Sequence, residues 1–317
     1  MEAKDYGLFK KLISLTQEGV RKSMTAYLES KYNTVISTED YVVAIGNIPI
    51  ALVAHMDTVY AQPATQLFYD VNKGIFWNPK GLGADDSAGI FAIIKIIQSG
   101  FRPSIILTTN EEVGGLGAYA LSKNACPIPD LRYMIELDRQ GTNDCVFYDC
   151  YCTDFVDYVE SFGFKERQGS FSDISILMPA WKICGVNLSV GYKNEHSAHE
   201  FLIVEALYDT IEKVKKMLTK KDIPIFEYDE VFRYQPFGNL NNCCHKCKKA
   251  FFEYELFPVK NVHKSFRLYC PDCIASNAVE WCKVCQEPYE ADSLIDKVCK
   301  NCAEGVCTKT LKSSSEM

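Results

Sequence analysis

The chain has 317 residues, of which 47% are hydrophobic and 24% are charged, and its formal net charge is −7. This is an ordinary globular balance, and the length suits one large domain or two smaller ones. No apolar run reaches the roughly 18 residues of a membrane span, and the acidic balance gives no basis for non-specific nucleic-acid binding.

The fifteen cysteines are unevenly distributed, with five in residues 1–242 and ten in residues 243–317. The first residues carry no apolar signal-peptide core, so export is not expected. In a reducing, cytoplasmic setting this many cysteines indicates thiols or metal ligands rather than disulfides. The uneven distribution predicts a first domain at 1–221, a linker at 222–242 and a Cys-rich region at 243–317.

The first 220 residues alternate helix-like and strand-like stretches. Apolar positions recur at helical spacing in residues 4–31, and further helices are predicted at Asp86–Gln98, Cys152–Gly163 and Phe201–Lys220. Buried strands are predicted at Pro49–Ala54, Ser104–Thr108, Tyr133–Leu137 and Gly185–Val190. This alternation predicts an α/β fold, a three-layer α/β/α sandwich around a mostly parallel central sheet.

Metal-ligand residue types follow the predicted strands and open the Ile-rich helix. In chain order they are His55 and Asp57, Asp85 and Asp86, Glu111 and Glu112, Asp138, and His196 and His199. Taken singly, each has a plainer explanation, such as a helix cap or a strand end. Five such positions in order within one α/β unit, where functional residues collect past strand ends, instead indicate a site. Histidine and carboxylate together suit zinc or a similar divalent ion.

The motifs GADDSAGI (83–90), TTNEEVGGLGA (108–118) and HSAHEF (196–201) make the pattern specific. Over roughly residues 45–205 the chain resembles the co-catalytic di-zinc peptidases. That superfamily includes peptidase T, the glutamyl and deblocking aminopeptidases, and secreted bacterial leucyl aminopeptidases.

The resemblance implies a role for each matching residue. It implies that Asp85 bridges two zinc ions, that His55 and Asp138 complete one site, and that Glu112 and His196 complete the other. His196 is preferred over His199 because the family's ligand comes first in the His-x-x-His-Glu-Phe pattern. Glu111 is implied as the general base that activates a water shared by the metals, and Asp57 as the carboxylate that orients His55. A cis peptide bond between Asp85 and Asp86 is also implied.

The chain departs from some relatives in what it lacks. Only 30 residues separate His55 from Asp85, and 58 separate Asp138 from His196, so neither the inserted domain nor the lid of the larger relatives is present. In lidded relatives the extra domain supplies an oxyanion donor, which here is left open between His199 and Tyr192. Asp173, in GSFSDISIL, resembles a Thr/Ser-Asp motif of several relatives. It is either a substrate-facing or supporting carboxylate or a helix or turn cap.

The C-terminal region carries four Cys-x-x-Cys pairs, a strong zinc signal. They are Cys244 and Cys247, Cys270 and Cys273, Cys282 and Cys285, and Cys299 and Cys302. If the first pair binds a metal with the second and the third with the fourth, the region forms two zinc ribbons. If the first binds with the third and the second with the fourth, it forms a cross-braced, RING-like module. Disulfides are disfavoured by the reducing context. Cys243 could replace Cys244, and Cys307 is spare. The expected cofactors are therefore two catalytic and two structural zinc ions.

Residues 243–317 contain 11 Lys and Arg against 10 Asp and Glu, so their charge is close to neutral. This favours a protein-docking or substrate-gating module over a nucleic-acid-binding one. The leading hypothesis is a zinc-dependent, aminopeptidase-like hydrolase of peptides or small amides. The alternatives are an N-acyl amino acid deacylase and a non-catalytic interaction protein that acts through its zinc ribbons.

Overall fold

The computed structural model describes residues 3–148, 150, 152–228, 244–247, 256–260, 266–285 and 288–304. The chain forms two compact units, Met1–Phe232 and Arg233–Met317. The division falls within the predicted linker. Residues 229–242 of that linker, Cys243 and Cys307 lie outside the described residues.

The first unit alternates helices and strands, as its sequence predicts. Its helices are α1 (Ala3–Ile13), α2 (Gln17–Glu29), α3 (Ala84–Gln98), α4 (Leu116–Ser122), α5 (Thr153–Glu160), α6 (Asp173–Trp181) and α7 (Val204–Leu218). Its strands are β1 (Val35–Ser37), β2 (Tyr41–Ala44), β3 (Ile48–His55), β4 (Phe68–Asp70), β5 (Ile75–Trp77), β6 (Pro103–Thr108), β7 (Tyr133–Arg139), β8 (Asp144–Val146), β9 (Lys165–Glu166), β10 (Gly185–Ser189), β11 (Tyr192–Lys193) and β12 (Phe201–Ile203).

Eight strands form the central sheet in the order β1-β2-β6-β3-β7-β10-β8-β9. The four predicted strands occupy its middle, where β3 pairs in parallel with β6 and β7, and β7 pairs in parallel with β10. Their side chains are buried on both faces, which is why they are apolar runs without alternation. The antiparallel pairs lie toward the edges. The architecture is the predicted α/β sandwich.

The apolar-periodic stretch at 4–31 forms two helices rather than one. The Thr16 side chain accepts a hydrogen bond from the Gly19 N–H at 3.2 Å and so caps the start of α2. Phe9 on α1 and Leu28 on α2 are fully buried in the core. The break between these helices lines a cavity that also reaches Glu112.

The helix predicted at Phe201–Lys220 begins later than expected. Phe201–Ile203 forms strand β12, and the helix starts at Val204. Strand β12 pairs with β5, which sets Phe201 opposite Trp77 and Leu202 opposite Phe76, in a four-stranded sheet ordered β11-β12-β5-β4. This pairing overrides the local helical pattern. Because β5 lies far away in the sequence, the local pattern does not reveal the pairing.

The described part of the predicted linker packs on the first unit. Ile223 is buried, and the ring of Phe226 lies 4.8 Å from that of Phe155 and 5.8 Å from that of Tyr133, centroid to centroid. Residues up to 228 therefore extend the core of the first unit beyond the predicted end at 221.

The second unit is built from short elements between its cysteines. Its strands are β13 (Phe257–Lys260), β14 (Phe266–Tyr269), β15 (Val279–Trp281), β16 (Pro288–Glu290), β17 (Leu294–Ile295) and β18 (Val298–Cys299), and its short helices are α8 (Pro271–Cys273) and α9 (Lys300–Ala303). Arg267 donates to the buried carboxylate of Glu290 at 3.0 Å, and Tyr269 donates to it at 2.7 Å. Within the described ranges, no helix of either unit has the length and apolarity needed to cross a membrane.

Candidate metal centre

The predicted ligands meet at one edge of the central sheet. His55 ends β3, Asp138 lies near the end of β7, and Glu111 and Glu112 follow β6 after two intervening residues. Because neighbouring parallel strands end at the same edge, segments far apart in the sequence deliver their side chains to one place. Asp85 joins them from the start of α3, next to a cis peptide bond to Asp86.

Two groups of donor atoms share the Asp85 carboxylate. In the first, His55 Nε2 lies 3.0 Å from Asp85 Oδ1 and 3.4 Å from Asp138 Oδ1. In the second, His196 Nε2 lies 3.2 Å from Asp85 Oδ2 and 2.9 Å from Glu112 Oε2. The donor atoms of each group all lie within 4.8 Å of one another. Zinc–ligand bonds of about 2.1 Å place tetrahedral donors roughly 3.4 Å apart, so each group is compact enough to hold a divalent cation.

The carboxylates of the cluster are buried close together, so each disfavours ionisation of the others unless a positive charge lies nearby. Burial, reinforced by the neighbouring Asp85, raises the pKa of Glu112 to about 7 and that of Asp138 to about 6. Burial works against ionisation of Asp85 too, but hydrogen bonds from His196 and His55 hold its pKa below the usual range. A dication between such carboxylates favours the ionised form of all of them, so the residues present fit the two metals that the sequence resemblance implies.

Asp57 supports the site from behind His55. Its Oδ1 lies 3.3 Å from His55 Nδ1, which leaves Nε2 facing Asp85 and Asp138. The same carboxylate accepts the N–H of Glu111 at 3.0 Å and the N–H of Glu112 at 3.1 Å. One side chain thus orients a predicted ligand and fixes the loop that carries the predicted base.

The two adjacent glutamates differ in their contacts. Glu112 contacts His196, whereas the part of the chain that the structure describes contains no hydrogen bond to the Glu111 carboxylate. Burial and the nearby Asp138 raise the pKa of Glu111 to about 9. Glu111 therefore lies near the donor groups without a hydrogen-bond partner for its carboxyl group, and cations bound by those groups would favour the ionised form that a proton acceptor requires.

The three residues left open by the sequence lie in different environments. The buried Tyr192 donates its hydroxyl proton to Asp138 Oδ1 at 3.0 Å. His199 is exposed on the loop after His196. Asp173 is fully buried at the start of α6, where it accepts a hydrogen bond from the Thr108 hydroxyl, and burial raises its pKa to about 7.

Several buried polar residues support the centre and had not been given roles from the sequence. Asn187 accepts the N–H of Asp138 at 3.0 Å and donates to the Asp138 carbonyl at 3.0 Å. Asp86 accepts the N–H groups of His55 and Gly89. Asn187 lies in a predicted strand and Asp86 in a quoted motif, but only the fold shows which backbone groups they meet.

Glu200 is the most informative of these residues. Its buried carboxylate accepts the N–H of Gly83 at 2.7 Å, of Asp85 at 3.0 Å and of Leu82 at 3.1 Å. It belongs to the HSAHEF motif, whose Glu was quoted in the pattern without a function. Its contacts fix the loop that presents the shared carboxylate.

We expect Glu200→Gln to weaken metal binding by about 10- to 100-fold, because supporting contacts to a ligand loop have effects of that size. The amide cannot accept all three N–H groups, so the Asp85 loop loses its anchor. Chelator competition on the full chain measures the affinity. Glu205→Gln, an exposed glutamate on α7, is the matched control and should leave it unchanged. Wild-type affinity in Glu200→Gln would contradict this role.

The eight cysteines predicted to bind structural metal form two groups in the second unit. One contains Cys244, Cys247, Cys270 and Cys273, and the other contains Cys282, Cys285, Cys299 and Cys302. The first Cys-x-x-Cys pair is thus grouped with the second, and the third with the fourth, which is the sequential arrangement and not the cross-braced one. The Sγ atoms of Cys247 and Cys270, and those of Cys285 and Cys299, lie 3.9 Å apart. A disulfide needs about 2.05 Å, whereas tetrahedral zinc thiolates are roughly 3.8 Å apart.

The backbone around the Cys-x-x-Cys pairs favours the thiolate form of Cys244 and Cys282. Burial opposes ionisation of Cys244 and Cys282, but nearby backbone N–H groups lower the pKa of each thiol to about 6. For Cys282, one of these donors is the N–H of Cys299, at 3.3 Å from the sulfur. Both groups could therefore bind a metal ion that prefers thiolate ligands.

Comparison with known proteins shows the fold of about two thirds of the chain. No protein-family model and no curated protein matches the sequence. Among solved structures, a tripeptidase from Staphylococcus aureus matches 68% of this chain and 96% of its own, with a TM-score of 0.55 and 14% identity. A TET aminopeptidase from a marine-sediment thaumarchaeon matches 70% of this chain and 98% of its own, with a TM-score of 0.55 and 14% identity. An aminopeptidase from Desulfurococcus kamchatkensis matches 68% of this chain and 94% of its own, with a TM-score of 0.53 and 12% identity.

The chain has the α/β fold of these aminopeptidases. At identities of 12–14% the likeness shows the fold alone, so function must be argued from the residues of this site.

Proposed function

We propose that the first unit is a zinc-dependent hydrolase of peptide or amide bonds, with the character of an aminopeptidase. The observation that carries the proposal is the pair of histidine–carboxylate groups that share Asp85, with the uncommitted carboxylate of Glu111 beside them. The fold shared with solved aminopeptidases supports it. Residues 1–221, extended by the packed residues 222–228, would form the catalytic domain, the rest of 222–242 the linker and 243–317 the zinc module.

His55, Asp85 and Asp138 would hold one ion, and Asp85, Glu112 and His196 the other. When bound, such ions act as Lewis acids and lower the pKa of water toward neutrality. The protein's own contribution is to fix the donors. Asp57 sets the ring of His55, and Tyr192 donates to Asp138.

Glu111 would accept the proton of the attacking water and later deliver it to the leaving amine. Both transfers need a group within hydrogen-bond reach of the water and of the amine, which a carboxylate outside the ligand set can provide. The backbone N–H contacts to Asp57 fix Glu111 in place while its side chain is free to act.

The donor to the developing oxyanion is assigned to His199 over Tyr192. The hydroxyl proton of Tyr192 is already donated to Asp138, whereas His199 is exposed and follows His196 by three residues in the same loop. Such a donor stabilises charge that appears only in the transition state.

A substrate panel tests the proposal. We expect zinc-loaded full-length protein to hydrolyse aminoacyl arylamides and short peptides, and to lose this activity with chelator. Hydrolysis restricted to N-acyl amino acids would instead establish the deacylase alternative. No hydrolysis of either class, with metal present in all four groups, would favour a non-catalytic protein that acts through its zinc module.

A further inference from the structure

Among the predicted ligands of the two donor groups, His196 is the least held by its surroundings. Its side chain is 51% exposed, whereas those of His55, Asp85, Asp138 and Glu112 are at most 10% exposed. Its backbone φ is +59°, in the left-handed region that residues other than glycine adopt uncommonly. Such a conformation persists only where neighbouring groups hold it. The loop that carries His196 therefore needs an anchor.

Tyr60 supplies this anchor from a distant part of the sequence. Its hydroxyl donates a hydrogen bond to the carbonyl of Ser197 at 2.7 Å. Ser197 directly follows His196, and its carbonyl also accepts the Glu200 N–H at 3.1 Å. In the described part of the chain, no other side chain from outside residues 194–199 hydrogen-bonds the backbone of this loop.

The ring of Tyr60 packs against the loop of a second predicted ligand. Gly81 lies four residues before Asp85, and its φ is +99°. A Cβ atom at this glycine would lie 2.1 Å from Tyr60 Cε1, so only glycine leaves room for the ring. The Glu200 carboxylate, which accepts three N–H groups of the same loop, also lies near the Tyr60 hydroxyl. Tyr60 thus lies between the loops that carry His196 and Asp85.

We propose that Tyr60 is a positioning residue for the second metal, and that its hydrogen bond to Ser197 holds His196 where it completes the second donor group. The inference rests on the proposed two-metal hydrolase. The phenolic hydroxyl then acts on the second ion through His196. The first donor group lacks His196, and the Asp85 loop keeps its N–H contacts to Glu200, so the first ion should not depend on this hydroxyl.

Tyr60→Phe removes the hydroxyl and keeps the ring against Gly81. We expect the affinity for one of the two ions of the first unit to fall about 10-fold, because supporting contacts to a metal ligand have effects of at least that size. The zinc content of the full chain at graded chelator concentrations measures this. At limiting zinc the hydrolytic kcat should fall, and excess zinc should restore it. Tyr119→Phe, at an exposed tyrosine of α4, is the matched control and should bind zinc as the wild type does.

A His196→Ala background separates the two routes by which Tyr60 can act. Without His196, the ion of the first group should bind with the same affinity whether residue 60 is Tyr or Phe, because the interaction that Tyr60 supports is already lost. A weaker first ion in the double variant would show that Tyr60 acts through Glu200 and the shared Asp85, and would overturn the proposal. Wild-type zinc affinity in Tyr60→Phe alone would overturn it too.

Gly81→Ala covers the case in which Tyr60→Phe does not fold. Its methyl group takes the place of the Tyr60 ring, so the hydroxyl should leave Ser197 and the second ion should bind at least about 10-fold more weakly. Gly74→Ala is the matched control, because Gly74 also has a positive φ but no atom lies within 4 Å of a Cβ there. Equal zinc binding in the two alanine variants would count against Tyr60.

The two proposals fail differently. If the wild type holds zinc only in its cysteine groups, the two-metal hydrolase is wrong. If the first unit holds two ions as tightly in Tyr60→Phe as in the wild type, the role of Tyr60 alone is refuted.

Discussion

Glu111→Gln is expected to lower kcat on a peptide or aminoacyl substrate by about 10²- to 10⁴-fold, the usual contribution of a positioned general base. The amide has nearly the same shape but cannot accept the proton of water. Its backbone N–H still reaches Asp57, so the loop should keep its conformation. Steady-state kinetics on the zinc-loaded full chain measure the effect, and the zinc content should be unchanged.

Glu112→Gln is the matched comparison, because the same substitution at the next residue alters a donor of the second group. It should lower metal content as well as activity. Wild-type kcat in Glu111→Gln would refute the assignment of the base. Loss of zinc in Glu111→Gln would show instead that Glu111 is itself a ligand.

Asp85→Asn is expected to abolish activity and to remove about two of four zinc ions per chain. Asp85 is the one residue common to both donor groups in the first unit, and two further groups lie in the second unit. Asparagine keeps the shape but removes the charge that holds two cations close together despite their repulsion. The loss of Lewis-acid chemistry should cost at least about 10³-fold in kcat.

Metal analysis of the purified full chain checks the stoichiometry. Cys244→Ser is the matched control, since it disrupts one cysteine group and should remove about one zinc ion. A wild-type content of two zinc ions, all retained in Asp85→Asn, would place every metal in the cysteine groups. That result would contradict the catalytic proposal and leave the zinc module intact.

Much of the fold could be predicted from local signals. The strands β3, β6, β7 and β10 are short apolar runs buried on both faces, and such runs are visible without any partner. The helix at α3 was also predicted within two residues at its start. The small sheet was missed, because Phe201–Ile203 continues a helical pattern and becomes a strand only through its pairing with β5.

The candidate site divides in the same way. Residue types that bind metals are recognisable wherever they follow strands, so the ligand set could be proposed from the order of motifs. Glu200 has no such signal of its own, since the N–H groups it accepts lie 115 to 118 residues earlier in the chain. A hydrogen bond across that separation depends on how two loops approach each other.

By itself, the sequence determined the parallel α/β core, the histidine and carboxylate residues at its strand ends, and the four cysteine pairs. The tertiary structure gave the distances that bring the donors around Asp85 into two compact groups, and it alone decided that the Cys-x-x-Cys pairs group sequentially and that α1 and α2 line a cavity beside Glu112. The physical reason is the separation in sequence of the residues that each property depends on. Burial patterns and residue chemistry are written into a few neighbouring residues, whereas distances between donor atoms follow from the packing of segments that meet only in the folded chain.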